Sequence, residues 1–177
     1  LQQRADNQQL PACKPIESMK TLLRLFVMSV LIHLALAEPG ASQPNPTARK
    51  QQFNIENGVA IQGYDPVAYF TQKKAVKGSP TQTYTYKNIT YRFATPASRE
   101  TFQKNPDQYE PQYGGWCAYA MGATGEKVEI DPETFKITDG KLFLFYHSFI
   151  NNTLTKWNKD EVNLHRKADV NWAKFVK

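Results

Sequence analysis

The sequence predicts a single small α+β domain built from two antiparallel β-hairpins, several short helices and two C-terminal helices. Three observations lead to this fold class. Two segments alternate polar and apolar residues on either side of a short turn, which is typical of hairpins with one buried face. Proline stands at the start of several short amphipathic segments, where a helix tolerates it. Apolar residues near the end of the chain recur at helical spacing.

Length and composition favour one domain. The chain has 177 residues, of which 41% are hydrophobic and 12% aromatic, and this is enough for one core but too little for two. The formal net charge is +6, but the basic residues are scattered, so we interpret them as solvated surface. The sequence contains no helix-turn-helix pattern, RNP-like motif or zinc-finger spacing, and we therefore expect no nucleic-acid partner.

The first part of the chain has the pattern of a targeting segment. Residues 1–18 are polar, and we exclude them from the folded domain. Residues 19–37 combine a basic start, a short apolar centre and small residues at Ala35 and Ala37, which is the pattern of a cleavable signal peptide. Residues 38–52 are rich in Pro, Ser and Gln and are interpreted as a flexible leader. We therefore expect an exported protein, periplasmic or secreted, with no stable membrane insertion after signal cleavage.

The first elements of the domain, which we expect to span residues 53–177, are a helix and a hairpin. Asp65 precedes Pro66, so we predict a helix that Asp65 caps and that Pro66 begins. Residues 81–86 and 89–93 alternate at period two across a short turn. This pattern predicts two antiparallel strands with one buried face.

Two short helices and a second hairpin follow. A proline near the start of residues 95–102, and another near the start of residues 105–109, predicts a helix in each segment. Residues 135–138 and 142–146 flank an Asp-Gly dipeptide, which favours the positive φ values of a tight type I′ turn. This second hairpin is the clearest local pattern in the chain.

Two helices are predicted to close the domain, over residues 148–158 and 160–176. In the first helix the apolar face consists of Phe149, Leu154 and Trp157. In the second helix, apolar residues and one histidine recur at helical spacing. They are Val162, His165, Ala168, Trp172 and Val176.

Cysteine usage supplies the first candidate functional residue. Cys13 lies ahead of the predicted signal peptide, so export would leave Cys117 as the only cysteine of the mature chain. Cysteines normally pair in an oxidising compartment, and an unpaired thiol there requires an explanation. Four explanations remain open at this point: a buried structural residue, a metal ligand, an intermolecular disulfide partner and a redox-active thiol.

A soft-metal site can be assembled around Cys117. Gly114 and Gly115 allow a tight turn before it, and if a helix begins there, Met121 lies one turn further along the same face. Thiolate and thioether are soft ligands that favour Cu(I), and an imidazole from His147, at the end of the second hairpin, would complete the site. We therefore advance the hypothesis of a copper site formed by Cys117, Met121 and His147.

The other titratable residues indicate structural roles. Asp65, Asp131 and Glu133 each occupy a position that suits a helix cap or a turn. His165 lies in the apolar stripe of the last predicted helix, where a histidine is typically a hydrogen-bonded boundary residue. The sequence contains no nucleophile elbow, phosphate-binding glycine loop or His-Glu-x-x-His motif. We therefore expect a protein without catalytic activity of its own.

Several strings between residues 53 and 175 form a recognisable set. They read Gly63-Tyr-Asp-Pro-Val-Ala-Tyr-Phe70, Tyr91-Arg-Phe93, Pro111-Gln-Tyr-Gly-Gly-Trp-Cys-Ala-Tyr-Ala120 and Asp139-Gly-Lys-Leu142. With these strings the domain resembles the exported, stand-alone YHS-domain proteins of bacteria.

This resemblance implies a link to metal handling. YHS domains accompany copper-transporting ATPases and monooxygenases, and their metal binding is attributed to two closely spaced cysteines ahead of an aromatic Tyr-x-Phe segment. This chain has no cysteine between Phe53 and Tyr91, so those ligands have no counterpart here. Cys117 instead belongs to the string that resembles the exported group.

Three functional hypotheses follow from the residues and the resemblance. The first is an exported YHS-domain module that binds a soft metal, with copper favoured, or that serves a metal-handling partner protein. The second is a structural or protein-interaction domain in which Cys117 is a buried structural residue. The third is a thiol redox protein. Loss of metal retention in Cys117→Ser would favour the first hypothesis, and a native thiol that resists labelling would favour the second.

Overall fold

The computed structural model of the protein describes residues 46–176, which belong to one compact unit. The predicted upstream segment (1–18), the signal peptide (19–37) and the first part of the leader (38–45) lie outside the described residues. Between residues 46 and 176 no helix is both long and apolar enough to cross a membrane.

The predicted α+β class is confirmed. Within residues 46–176 the strands pair into four two-stranded antiparallel sheets, accompanied by seven α-helices and 3-10 turns at Ile61–Gly63 and Gln112–Gly115. In chain order the helices and strands are α1 (Pro46–Gln52), β1 (Ile55–Glu56), β2 (Val59–Ala60), α2 (Pro66–Thr71), β3 (Ser79–Tyr86), β4 (Ile89–Phe93), α3 (Pro96–Lys104), α4 (Pro106–Tyr109), α5 (Ala118–Ala123), β5 (Asp131–Thr138), β6 (Lys141–Phe145), β7 (His147–Ser148), β8 (Asn151–Asn152), α6 (Thr153–Trp157) and α7 (Glu161–Trp172).

Both predicted hairpins are confirmed, and their turns explain why. In the β3–β4 turn, Lys87 and Asn88 have φ values of 44° and 67°. In the β5–β6 turn, Asp139 and Gly140 have φ values of 51° and 71°. Two successive residues with positive φ are what a type I′ turn requires, and its twist matches that of the paired strands.

The helix starts also follow the prediction. Asp65 is fully buried and caps α2, because its Oδ1 accepts the Val67 N–H at 2.9 Å. Its Oδ2 accepts the Ala94 N–H at 2.9 Å, which ties α2 to the end of β4. Since both carboxylate oxygens accept backbone donors, Asp65 is a structural residue, as a capping role implies.

Strand β6 separates two hydrophobic clusters. Leu142 and Leu144 pack into the first cluster, which surrounds Phe102. Phe143 and Phe145, on the opposite face of the strand, pack into the second cluster. Because both faces are covered, the strand is apolar along nearly its whole length rather than alternating.

Part of the predicted flexible leader is ordered, which differs from the expectation. Residues 46–52 form α1, and Arg49 attaches this helix to the first hairpin. The Arg49 guanidinium bonds both carboxylate oxygens of Glu110 at 2.6 and 2.7 Å and donates to the carbonyl oxygen of Lys87 at 3.0 Å. It also lies over the Phe53 ring, 4.3 Å from the centroid. One arginine with several partners therefore holds a segment whose composition resembles a linker.

The prediction of a helix over residues 148–158 is wrong at its amino end. The helix in this region, α6, begins only at Thr153, because the Asn152 side chain caps it by accepting the Leu154 N–H at 3.0 Å. The residues before it form the small β7–β8 hairpin. Phe149 stands at the turn of this hairpin and is exposed, so its expected place on an apolar helix face is also wrong.

The last helix is shorter than predicted, and its packed face keeps His165, Ala168 and Trp172 of the expected stripe but not Val162 and Val176. Helix α7 spans Glu161–Trp172 rather than residues 160–176, and its buried residues are Leu164 and Ala168. Val162 and Val176, expected in the stripe, are exposed. The i, i+4 pair of Leu164 and Ala168 faces α5, so the apolar face of the helix passes through this pair.

Candidate functional site

Cys117 lies where the chain leaves a tight turn and enters a helix. Tyr113, Gly114 and Gly115 have φ values of 54°, 60° and 85°, so the two glycines make the turn that the sequence indicated. Cys117 then occupies the N-cap position of α5. Its backbone N–H donates to the Val128 carbonyl oxygen at 2.9 Å, and a parallel bridge to Leu144 places the residue beside β6.

The Cys117 sulfur is enclosed and takes part in a small hydrogen-bond network. The residue has no exposed surface, and the Tyr146 N–H donates to Sγ at 3.3 Å. The Thr153 hydroxyl lies 3.4 Å from Sγ and donates its single hydrogen to the Tyr146 carbonyl oxygen at 2.8 Å. Because a hydroxyl has one hydrogen to give, the proton in the Cys117–Thr153 contact belongs to the thiol.

The contacts around Cys117 give its sulfur one donor and one acceptor. The S–H donates to Thr153 Oγ1, and the sulfur accepts from Tyr146. The side chain is thus matched on both sides in a site without exposed surface. A buried polar group that is matched in this way stabilises the arrangement around it.

Met121, the second predicted ligand, lies one turn further along α5. Its N–H donates to the Cys117 carbonyl oxygen at 3.0 Å, as helical spacing requires. Its side chain is fully buried but packs in the second hydrophobic cluster, whereas Cys117 packs in the first. The two sulfur-bearing side chains are therefore part of different cores, although the spacing predicts a shared face.

His147, the third predicted ligand, has an exposed side chain at the start of β7. Its Nδ1 lies 3.1 Å from Thr134 Oγ1 and 3.4 Å from Asp131 Oδ2. Thr134 also donates to Asp131 at 2.8 Å. In a nucleophile–histidine–acid triad, the nucleophile and the acid contact opposite nitrogens of the imidazole ring. Here the Thr134 hydroxyl and the Asp131 carboxylate both contact Nδ1, so the three residues do not form such a triad.

The structure therefore does not assemble the three predicted ligands around one point. Cys117 and Met121 are buried in different clusters, and the His147 imidazole contacts residues of β5. Among residues 46–176 no group of three or more His, Cys, Asp and Glu side chains is placed to hold a metal ion. The metal site of Cys117, Met121 and His147 stays a prediction.

The other residues singled out in the sequence have local structural partners. Asp131 accepts the Glu133 N–H at 3.0 Å at the start of β5, where the strand register is irregular, rather than in a turn between elements. Glu133 contacts Tyr64, whose pKa is raised by burial and by the nearby Glu133 carboxylate. His165 packs edge-on against Phe143, with ring centroids 5.1 Å apart, and its Nε2 lies 3.7 Å from Asp169. The contacts of His165 agree with the boundary role inferred from the sequence, whereas Asp131 and Glu133 lie in β5 and not at the helix cap or turn that was expected.

A shallow cavity of about 410 Å³ lies between the β5–β6 turn and α7. Its lining includes Asp139, Glu161, His165, Arg166 and Asp169. Two of these side chains already have partners, because Glu161 pairs with Lys136 at 2.5 Å and Asp169 accepts the Tyr113 hydroxyl at 3.0 Å. The cavity is thus lined by both acidic and basic side chains, and two of the acidic ones attach α7 to the rest of the domain.

One feature escaped the sequence analysis. Phe149 and Ile150, which we call the apolar tip, form the turn of the β7–β8 hairpin and are 104% and 91% exposed. The available signal was the run Ser-Phe-Ile-Asn-Asn, in which two large apolar residues stand between polar ones. Assigning the run to a helix concealed the tip, because Phe149 then fell on a buried face.

Comparisons with known proteins do not place the chain in a family. A scan against protein-family models, a search of curated proteins and a search of solved structures each found no match. The resemblance to exported YHS-domain proteins therefore rests on the strings in the sequence itself.

Proposed function

We propose that this chain is an exported module of the YHS type that acts by binding rather than by catalysis, with Cys117 as a structural residue of its core. The observation that carries this proposal is the matched network at the sulfur. The thiol donates to Thr153 and accepts from Tyr146 in a site without exposed surface. A cysteine used in this way behaves as a small buried hydrophobe with a weak donor.

The same network explains why ligand binding at Cys117 would be costly. A metal binds the thiolate, so the S–H must lose its proton and Thr153 must lose its donor. The incoming ion would also compete with the Tyr146 N–H for the sulfur. Both losses would occur in a buried site, where an unmatched polar group is expensive.

Export is the second part of the proposal, and it is supported by the pattern at residues 19–37. The basic start, the apolar centre and the small residues at Ala35 and Ala37 match a signal peptide that is cut before Glu38. Amino-terminal sequencing of the protein recovered from the periplasm or medium of a bacterial host tests this directly. We expect Glu38 as the first residue, and an intact Met19 start in the cell pellet alone would contradict export.

A second candidate function is soft-metal handling, with copper held by Cys117, Met121 and His147 or passed to a metal-handling partner protein. One contact favours it: the N–H of Tyr146 that donates to Sγ would also stabilise a thiolate. His147 follows Tyr146 directly in the chain, so a local rearrangement would bring its ring toward the sulfur. That rearrangement must break the contacts of His147 with Thr134 and Asp131.

One experiment separates the two functions. Copper(I) is titrated in competition with a chelator into tag-free protein and into the Cys117→Ala, His147→Ala and His165→Ala variants. Under the structural proposal the wild type and all variants show the same weak copper binding. Stoichiometric binding that is lost in Cys117→Ala and His147→Ala but kept in His165→Ala would establish the metal function instead.

A further inference from the structure

We propose that the apolar tip, Phe149 and Ile150, docks the domain on an anionic membrane surface. This inference goes beyond the proposed function, since it names a surface and a partner and does not depend on the role of Cys117. The tip combines three properties: residues that its own turn does not need, a rigid attachment to the core, and two exposed lysines in and after the helix that follows it.

The tip residues are not explained by the turn that they form. His147 pairs with Asn152 and Ser148 pairs with Asn151, so Phe149 and Ile150 are the two central residues of a tight hairpin turn. Exposed turn positions favour small polar residues such as Gly, Asn or Asp, which water solvates. A phenylalanine and an isoleucine with essentially full exposure stabilise neither the turn nor the core. Their apolar surface is available for a contact outside the domain.

The hairpin that carries the tip is attached firmly on both sides. Thr153, directly after β8, donates through its N–H and its hydroxyl to the Tyr146 carbonyl oxygen at 3.0 and 2.8 Å. On the other strand, His147 Nδ1 lies 3.1 Å from Thr134 Oγ1. Because the tip is already held in place, little conformational freedom is lost when it becomes buried against a partner.

The charge around the tip favours an anionic surface. The stretch from Gly140 to Lys159 contains three lysines and no aspartate or glutamate, whereas Asp139 precedes it and Asp160 and Glu161 follow it. Two of them, Lys156 and Lys159, are exposed in and after α6, the helix that begins directly after β8. The acidic side chain that contacts β7 is Asp131, which faces His147 and accepts the Thr134 hydroxyl.

A bilayer fits this arrangement better than a protein partner does. A stable protein interface buries on the order of 800 Å² on each side around an apolar centre. The tip offers two convex side chains flanked by polar Ser148 and Asn151. Membrane docking needs only a few apolar side chains at the depth of the headgroups together with nearby lysines. Such docking is reversible and differs from insertion of a spanning helix.

The test is co-sedimentation of the chain that begins at Glu38, which retains all the described residues, with vesicles. One set contains equal parts of phosphatidylglycerol and phosphatidylcholine, and the other contains phosphatidylcholine alone. We expect the wild type to bind the anionic vesicles. The double variant Phe149→Ser/Ile150→Ser should bind them with an affinity that is lower by a factor of about ten or more. Lys156→Gln/Lys159→Gln should weaken binding to the anionic vesicles only.

The control is Val162→Ser, which removes another exposed apolar side chain, in α7, and should bind like the wild type. Circular dichroism checks that each variant is folded. The proposal is overturned if the wild type binds neither vesicle, or if the tip variant binds as well as the wild type. It is also overturned if the tip variant changes only the oligomeric state in sedimentation velocity, because the tip would then contact a second copy. None of these outcomes alters the copper titration, so the two proposals fail separately.

Discussion

The surroundings of the Cys117 sulfur and the apolar tip are joined by a short stretch of chain but have opposite physical character. Tyr146 donates to the Cys117 sulfur, and Phe149 stands three residues further along the chain. The Cys117 side chain is fully buried, and its thiol has hydrogen-bond partners. At the tip, two large apolar side chains are fully exposed at positions that a turn would fill with polar residues.

This difference separates residues that stabilise the fold from residues that are exposed to a partner. The side chain with the most reactive chemistry, a thiol, is used to join α5 to the strand end at Tyr146. The side chains with the least reactive chemistry are the ones presented to the surroundings. A matched, buried group stabilises the fold, whereas an exposed apolar group only gains free energy when something covers it. The predictions below test this division.

The largest effect is expected on the core side, at the contact between α5 and α7. A Cβ at Gly122 would overlap the carbonyl group of Leu164, so Gly122→Ala must push the two helices apart. We expect the free energy of unfolding to fall by about 2–4 kcal/mol, because overpacking displaces contacts between the two helices. Urea denaturation followed by circular dichroism measures this change.

Gly140→Ala is the matched control for Gly122→Ala. Nothing lies within 4 Å of a Cβ at Gly140, but its φ of +71° disfavours any side chain. We expect a loss of about 1 kcal/mol from the backbone alone. Equal losses in the two variants would show that the close approach of α5 and α7 does not constrain the fold.

The next largest effect is expected at the sulfur itself. Cys117→Ala leaves the Tyr146 N–H without its acceptor and removes the thiol donor to Thr153. The free energy of unfolding should fall by about 2 kcal/mol, the cost of unmatched buried groups together with a small void. Met121→Leu, a change of similar volume in the neighbouring cluster, should cost less than about 1.5 kcal/mol. If Cys117→Ala leaves the free energy of unfolding unchanged, this cysteine does not have the structural role assigned to it.

A smaller loss is expected for Thr153→Val, which keeps the shape of the side chain but removes its hydroxyl. The Tyr146 carbonyl oxygen still accepts the Thr153 N–H, so only part of the network is lost. We expect a decrease of about 1 kcal/mol in the free energy of unfolding. The control Thr155→Val removes an exposed hydroxyl that donates to the Asn152 carbonyl oxygen at 2.7 Å. Because water can replace that hydroxyl, the variant should stay within about 0.5 kcal/mol of the wild type. Similar values for both variants would contradict a special role of Thr153.

The smallest change in stability is expected at the tip. Phe149→Ser/Ile150→Ser should alter the free energy of unfolding by less than about 0.5 kcal/mol, because neither side chain packs in the domain. Thermal denaturation of the double variant beside the wild type measures this change. A clear loss of stability would mean that the tip packs against the domain in solution and is not free for a partner.

Much of the fold is predictable because local signals agree with it. Asp139-Gly140 adopts the positive φ values of its turn, and Asp65 caps the helix that Pro66 begins. At these positions the conformational preferences of two or three neighbouring residues are sufficient to define the turn or the start of the helix. The glycine turn before Cys117 belongs to the same class.

The differences arise where distant contacts decide the local structure. Arg49 orders α1 through Glu110, a partner 61 residues away, and nothing in the leader composition reveals that pair. Helix α6 begins late because Asn152 caps it and Thr153 bonds back to Tyr146. The i, i+4 spacing of Cys117 and Met121 is correct as helical geometry, yet β6 separates the two clusters in which their side chains pack.

The most direct test of the account is the reactivity of the Cys117 thiol in the folded protein. The chain that begins at Glu38 contains this single cysteine, so a chromogenic thiol reagent reports on it alone. We predict no labelling of the native protein over the time in which denatured protein reacts completely, and labelling that accelerates with urea in step with unfolding. Labelling of the native protein at the rate of a free cysteine would contradict the enclosed, structural thiol on which the account depends.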